Sequence, residues 1–141
     1  MKVHMKRTLS TLALTVSALS SAQAAELFVN IQSSGAMAQG AGLVLATQAL
    51  EQKASVRLLL CDAAADIAVT GQHLPMLKPR NVTAQQMLQG LIKGGAKVEV
   101  CALYLPNSGK QASELIAGVT PAKPGEVAAH LLKPEVQILS F

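Results

Sequence analysis

The sequence predicts a three-layer α/β domain built on a mainly parallel sheet. Three observations carry this reading. Strand-like apolar runs alternate with helix-like segments along the chain, the signature of successive βα units. Val56-Arg57-Leu58-Leu59-Leu60 is almost unbroken in apolar character, as expected of a strand covered on both faces. Gly94-Gly95 ends one helical pattern and leads directly into the apolar run Val98–Leu103.

The elements follow in order. Glu26–Gln32 is a first strand, with Leu27, Phe28, Val29 and Ile31 as its apolar side chains. Ser33-Ser34-Gly35 turns the chain. From Ala36 to Lys53, Met37, Ala41, Val44, Leu45 and Leu50 recur at helical spacing. Gly40, Ala41 and Gly42 let this helix sit close to a sheet. The second strand runs from Val56 to Leu60. Asp62–Val69 is a short helix or loop, with Asp62 and Asp66 as helix-start acids. Thr70–Val82, with Gly71, Pro75 and Pro79, is an irregular surface loop near the site.

Thr83-Ala84-Gln85-Gln86 is a capping box, in which hydroxyl and amide satisfy each other's end-of-helix donors. The helix it opens has Met87, Leu88, Leu91 and Ile92 on its inner face. Lys97–Leu103 is the third strand and its exit. Pro106-Asn107-Ser108-Gly109 is turn-rich, Ala112–Ile116 a short helix and Gly118–Ala122 a short strand. Pro124 suits the first position of a last helix. Glu135–Phe141 alternates like a closing strand.

Residues 1–24 read as a cleaved secretory signal. Lys2, Lys6 and Arg7 precede the apolar run Leu9–Leu19, and Ala22-Gln23-Ala24 has the small-x-small pattern of a cleavage site. The run is shorter than the about 20 residues of a membrane span. Its style is bacterial, which implies the periplasm. Residues 25–141 form a single domain. Removing the signal lowers the formal net charge from +4 to +1, so basicity gives no reason to expect nucleic acid. The aromatic residues are Phe28, Tyr104 and Phe141 alone, too few for a base-stacking platform.

Export places both cysteines, Cys61 and Cys101, where disulfides persist. Each ends an apolar strand-like run, at the sheet edge where ligands of open α/β folds collect. Their spacing, with no nearby His pair, gives no metal-ligand pattern, and no cofactor is implied. Gly35–Gly42 has two glycines at phosphate-loop spacing, but Ala41 and Gly42 replace the cation and hydroxyl such a loop needs. His130, near the end of the last helix, suits that helix's dipole.

The chain also resembles the DsrE/DsrF-like, or YchN-like (DsrEFH), family. The resemblance rests on Leu27-Phe28-Val29-Asn30, Ala46-Thr47-Gln48-Ala49-Leu50, and Met87-Leu88 with Lys93-Gly94-Gly95-Ala96-Lys97-Val98-Glu99-Val100-Cys101. It continues through Glu114–Val119 and Glu135–Phe141, in order and over nearly all of residues 25–141. It implies a five-stranded parallel sheet flanked by helices, homotrimers or homohexamers, and a sulfur donor or acceptor protein as partner. In sulfur-relay members a cysteine at the position of Cys101 accepts and passes on a persulfide sulfur. On that reading Cys101 is the nucleophile.

Cys61 is then a core residue, a disulfide partner of Cys101, or the thiol that resolves a Cys101 persulfide. His73, Lys78 and Arg80 either cover the Cys101 site and attract an anionic sulfur species or belong to a solvated loop. Two functions remain open. One is a periplasmic persulfide carrier or thiol-redox protein acting through Cys101. The other is a non-catalytic oligomeric binding or assembly module whose cysteines are structural.

Overall fold

A computed structural model of the chain describes residues 24–141. The expected signal segment falls, apart from Ala24, outside the described residues.

The alternation of strand and helix resolves into β1 (Glu26–Ile31), α1 (Ala36–Glu51), β2 (Ser55–Leu60) and a 3-10 segment, Asp62–Ala68. Then come β3 (Met76–Leu77), β4 (Val82–Thr83), α2 (Ala84–Lys93), β5 (Lys97–Val100) and α3 (Tyr104–Ser108). A 3-10 turn at Ala112–Glu114, β6 (Val119–Pro121), α4 (Pro124–Leu131) and β7 (Val136–Ser140) complete the order. Five strands form one sheet in the order β6-β5-β2-β1-β7, and every pairing in it is parallel. The five-stranded, three-layer α/β/α expectation holds.

Strand alternation divides the sheet's side chains between two faces. One face carries Val29, Ile31, Leu58, Leu60, Val98 and Val100, all buried against α1, α2 and the 3-10 segment. The other carries Phe28, Arg57, Glu99 and Val136, with Val127 of α4 packed on it. Both faces of β2 are therefore covered, as its apolar run implied. The second face holds an ion pair: Arg57 Nε donates to Glu99 Oε2 at 2.7 Å, and the two residues are 7% and 2% exposed. Lys97 Nζ lies 3.0 Å from the other Glu99 oxygen, at the protein surface.

The buried side of α1 combines small residues with Gln39 and Leu43. Gly40, Gly42, Leu43 and Ala46 are buried, whereas Met37 is 82% exposed and Val44 and Leu45 are about half exposed. A side chain at Gly42 would place its Cβ 2.9 Å from Ile31 Cδ1 and 3.0 Å from Phe141 Cδ2, so it would force those side chains to shift. Met37, Val44 and Leu45 of the helical pattern point outward, whereas Leu50 packs against the core.

Two loop readings change. Pro106–Gly109 is not an open turn: its first three residues belong to α3, and Gly109 ends that helix at φ 69°. Thr70–Val82 is not a free loop at the cysteine end of the sheet. It folds into the β3–β4 hairpin, whose Leu77 sits against Gly40 of α1. His130 lies with Nδ1 3.4 Å from Glu26 Oε2 and its ring near Phe28, so it bridges α4 to β1. Burial holds its pKa below the ordinary imidazole value.

The capping box forms as read: Gln86 N donates to Thr83 Oγ1, and Thr83 N donates to Gln86 Oε1. Thr83→Ala removes one side of this exchange and is expected to cost about 1 kcal/mol. Urea unfolding of the two proteins checks it, as a lowered midpoint at unchanged slope.

Candidate functional site

Parallel pairing in this register brings the two cysteines together. Leu60 of β2 pairs with Val100 of β5, so Cys61 and Cys101 follow side by side as the strands end. The ladder continues one rung past both strands: Cys61 N donates to Ile31 O (2.9 Å) and Cys101 N to Leu60 O (2.8 Å). Adjacent strands lie about 4.8 Å apart, inside the about 4.4–6.8 Å between Cα atoms that a disulfide spans. Both cysteines are free thiols and half-buried.

The two sulfurs differ in surroundings. Cys101 lines an open cleft of about 620 Å³, together with Asp62, Asp66, Leu103, Tyr104 and Asn107. Cys61 is not part of that lining. Burial pushes the Cys61 thiol up to about 12, helped by a hydrogen bond to Cys101 and by the negative charges of Cys101 and Asp62. At neutral pH Cys61 is therefore a protonated thiol beside the Cys101 sulfur. The arrangement offers one cleft-facing sulfur backed by a second that keeps its proton.

The cleft wall is built by the segments after β2 and β5. Tyr104 O–H donates to Asp66 Oδ1 at 2.6 Å, tying α3 to the 3-10 segment. Burial and this acceptor push the Tyr104 phenol well above its usual value. Tyr104 N donates to Cys101 O, which sets the turn from the cysteine into α3. Gln85 Nε2 donates to Ile67 O (2.9 Å) and Val69 O (2.7 Å), fastening the 3-10 segment to α2. Ile116 N donates to Ala68 O, fastening it from the other side.

His73, Lys78 and Arg80 are exposed, and none of them lines this cleft. Lys78 and Arg80 instead border a groove of about 250 Å³ between α1 and the β3–β4 hairpin, with Met37, Val44 and Leu77. The cleft's charged residues are the carboxylates of Asp62 and Asp66. In the sequence both read as helix-start acids; Asp66 acquires its role only through Tyr104, 38 positions away. Their four-residue spacing directly after Cys61 is the signal that could have found them. Among the described residues no group of three or more His, Cys, Asp or Glu could hold a metal ion.

The ychN protein of E. coli superposes on this fold with a TM-score of 0.70 at 24% identity, over 84% of this chain and all of that one. The chain has the YchN-like, or DsrE/DsrF-like, fold. A protein of unknown function from Methanobacterium thermoautotrophicum is also similar, with a TM-score of 0.64 at 11% identity over 83% of this chain and 99% of that one. No family model and no curated protein matches the sequence. The resemblance read from the sequence thus holds at the level of the fold. In this YchN-like chain the shared sheet edge presents Cys101, with Cys61 on the next strand.

Proposed function

We propose that the protein handles sulfur through Cys101, as a persulfide carrier or thiol-redox protein acting outside the cytoplasm. The observation that carries this reading is the paired placement: one thiol faces an open cleft and a second lies beside it on the neighbouring strand. A purely structural pair would have no need of a cleft at one sulfur.

In the loading step the Cys101 thiolate attacks the outer sulfur of a donor persulfide. A Cys101 S–S bond forms, the donor S–S bond breaks, and the donor leaves as its thiolate. Cys101 then holds the persulfide for a second thiol to take. Cys61 can also end the cycle by attacking the inner sulfur of the Cys101 persulfide. That forms the Cys61–Cys101 disulfide and expels hydrosulfide; an external dithiol must then reduce the disulfide. Both routes need a nucleophile in thiolate form.

The test is intact-mass measurement after incubation with a sulfane-sulfur donor. Wild type is expected to gain one sulfur, mapped to Cys101, and Cys101→Ser to gain none. Equal gain by the two proteins would reject the site.

A further inference from the structure

We propose that Asp62 and Asp66 make the Cys101 cleft selective for sulfur substrates carrying positive charge beside the reacting sulfur. This rests on the reading of Cys101 as the reacting thiol and adds the class of substrate it takes. Both carboxylates line the same cleft as Cys101, and no Lys, Arg or His lines it. Lys78 and Arg80 lie elsewhere, bordering the groove beside α1. Asp66 is held in place by Tyr104 O–H, a neutral donor that leaves the carboxylate without a cation to offset it. Glu114 adds a further negative charge in the field around Tyr104.

A cleft lined by one sign of charge concentrates substrates of the other sign and repels those of its own. Small inorganic sulfur anions are therefore disfavoured. A cationic organic disulfide or persulfide, or a cysteine flanked by basic residues on a partner protein, is favoured. With a disulfide the step is exchange: Cys101 thiolate attacks one sulfur, a mixed disulfide forms, and the other half leaves as a thiolate. In wild type Cys61 can then attack the mixed disulfide, so a Cys61→Ser background keeps the product countable.

The experiment measures mixed-disulfide formation on Cys61→Ser protein by intact mass with three probes. These are cystamine (dication), hydroxyethyl disulfide (neutral) and 3,3′-dithiodipropionate (dianion). 2-Mercaptoethanol, an uncharged thiol, supplies the intrinsic rates. At low salt the cystamine-to-dianion rate ratio is expected to exceed that of 2-mercaptoethanol by about tenfold or more. The excess should shrink at high salt, where such fields are screened. It should also shrink when Asp62→Asn and Asp66→Asn are added. Asparagine tolerates the positive φ of 51° at position 62 and keeps an acceptor for Tyr104 at position 66.

A ratio equal to that of 2-mercaptoethanol, or an excess unchanged by salt, overturns the selectivity. An excess that survives both substitutions in folded protein overturns the assignment to these carboxylates. If Cys101 in folded protein reacts with none of the probes, thiol chemistry at the site fails and the selectivity fails with it. The salt arm needs no Asp variant, so the outcome does not depend on how those variants fold.

Discussion

Glu99→Leu is expected to lower the stability of the fold by about 3–5 kcal/mol, because it strands a buried guanidinium. Arg57 is covered on the α4 face of the sheet, and Glu99 Oε2 is its close partner at 2.7 Å. Its remaining contacts are thin. One Arg57 Nη reaches Glu126 O at 3.2 Å, and the other has no partner. Loss of the carboxylate leaves the charge desolvated and unpaired, whereas the surface contact from Lys97 contributes little. Domains are stable by only about 5–15 kcal/mol, so the loss is a large part of the total. The double variant Arg57→Met with Glu99→Leu removes both charges at once. It is expected to recover most of the stability, or exceed wild type, since apolar replacement of a buried pair is often neutral or stabilising. Denaturant unfolding of wild type and the two variants checks this. A single variant as stable as wild type would show that water reaches Arg57.

Hydrosulfide release from a preloaded Cys101 persulfide is expected to be slow at neutral pH. Release requires Cys61 as thiolate, and burial, the largest cause of its raised pKa, keeps the proton on. The leaving hydrosulfide also carries the proton of the persulfide, so alkalinity supplies the nucleophile while it removes the better leaving group. Cys61→Ser should leave a longer-lived persulfide. Sulfide detection with the two proteins checks this. Equal release from Cys61→Ser would remove Cys61 from the resolving role. The same property suits a carrier at neutral pH, because a resolver that holds its proton does not discharge the load prematurely.

The sheet was legible because its strands are short apolar runs bounded by glycines and caps. Val56–Leu60 and the Gly94-Gly95 stop needed no tertiary information. The edge position of Cys101 followed from the same pattern, whereas the adjacency of Cys61 rested on the neighbouring strands that the family resemblance implies, which β2 and β5 form. What the sequence hid depends on contacts between distant positions. Arg57 and Glu99 are 42 positions apart, and each looks like an ordinary strand residue until β2 and β5 pair. Asp66 and Tyr104 meet only when the segments leaving those strands fold over the same edge. The Thr70–Val82 loop misled for a related reason. Leu77 packs against the gap left by Gly40, which draws Lys78 and Arg80 away from the cysteines and toward α1. For α1 itself, periodicity identified a helix but could not tell which stripe faces inward. The stripe of Gln39, Gly42, Leu43 and Ala46 faces inward, where close approach to Ile31 and Phe141 leaves little room for a side chain at Gly42.

The division of labour between the two thiols is open to one direct measurement: the order in which iodoacetamide alkylates them in folded, reduced wild type, resolved by peptide mapping. Cys101, facing the cleft, is expected to react first, with Cys61, whose thiol burial keeps protonated, following more slowly. Cys61 reacting first, or both at one rate near neutral pH, would contradict a cleft-facing sulfur backed by a protonated partner.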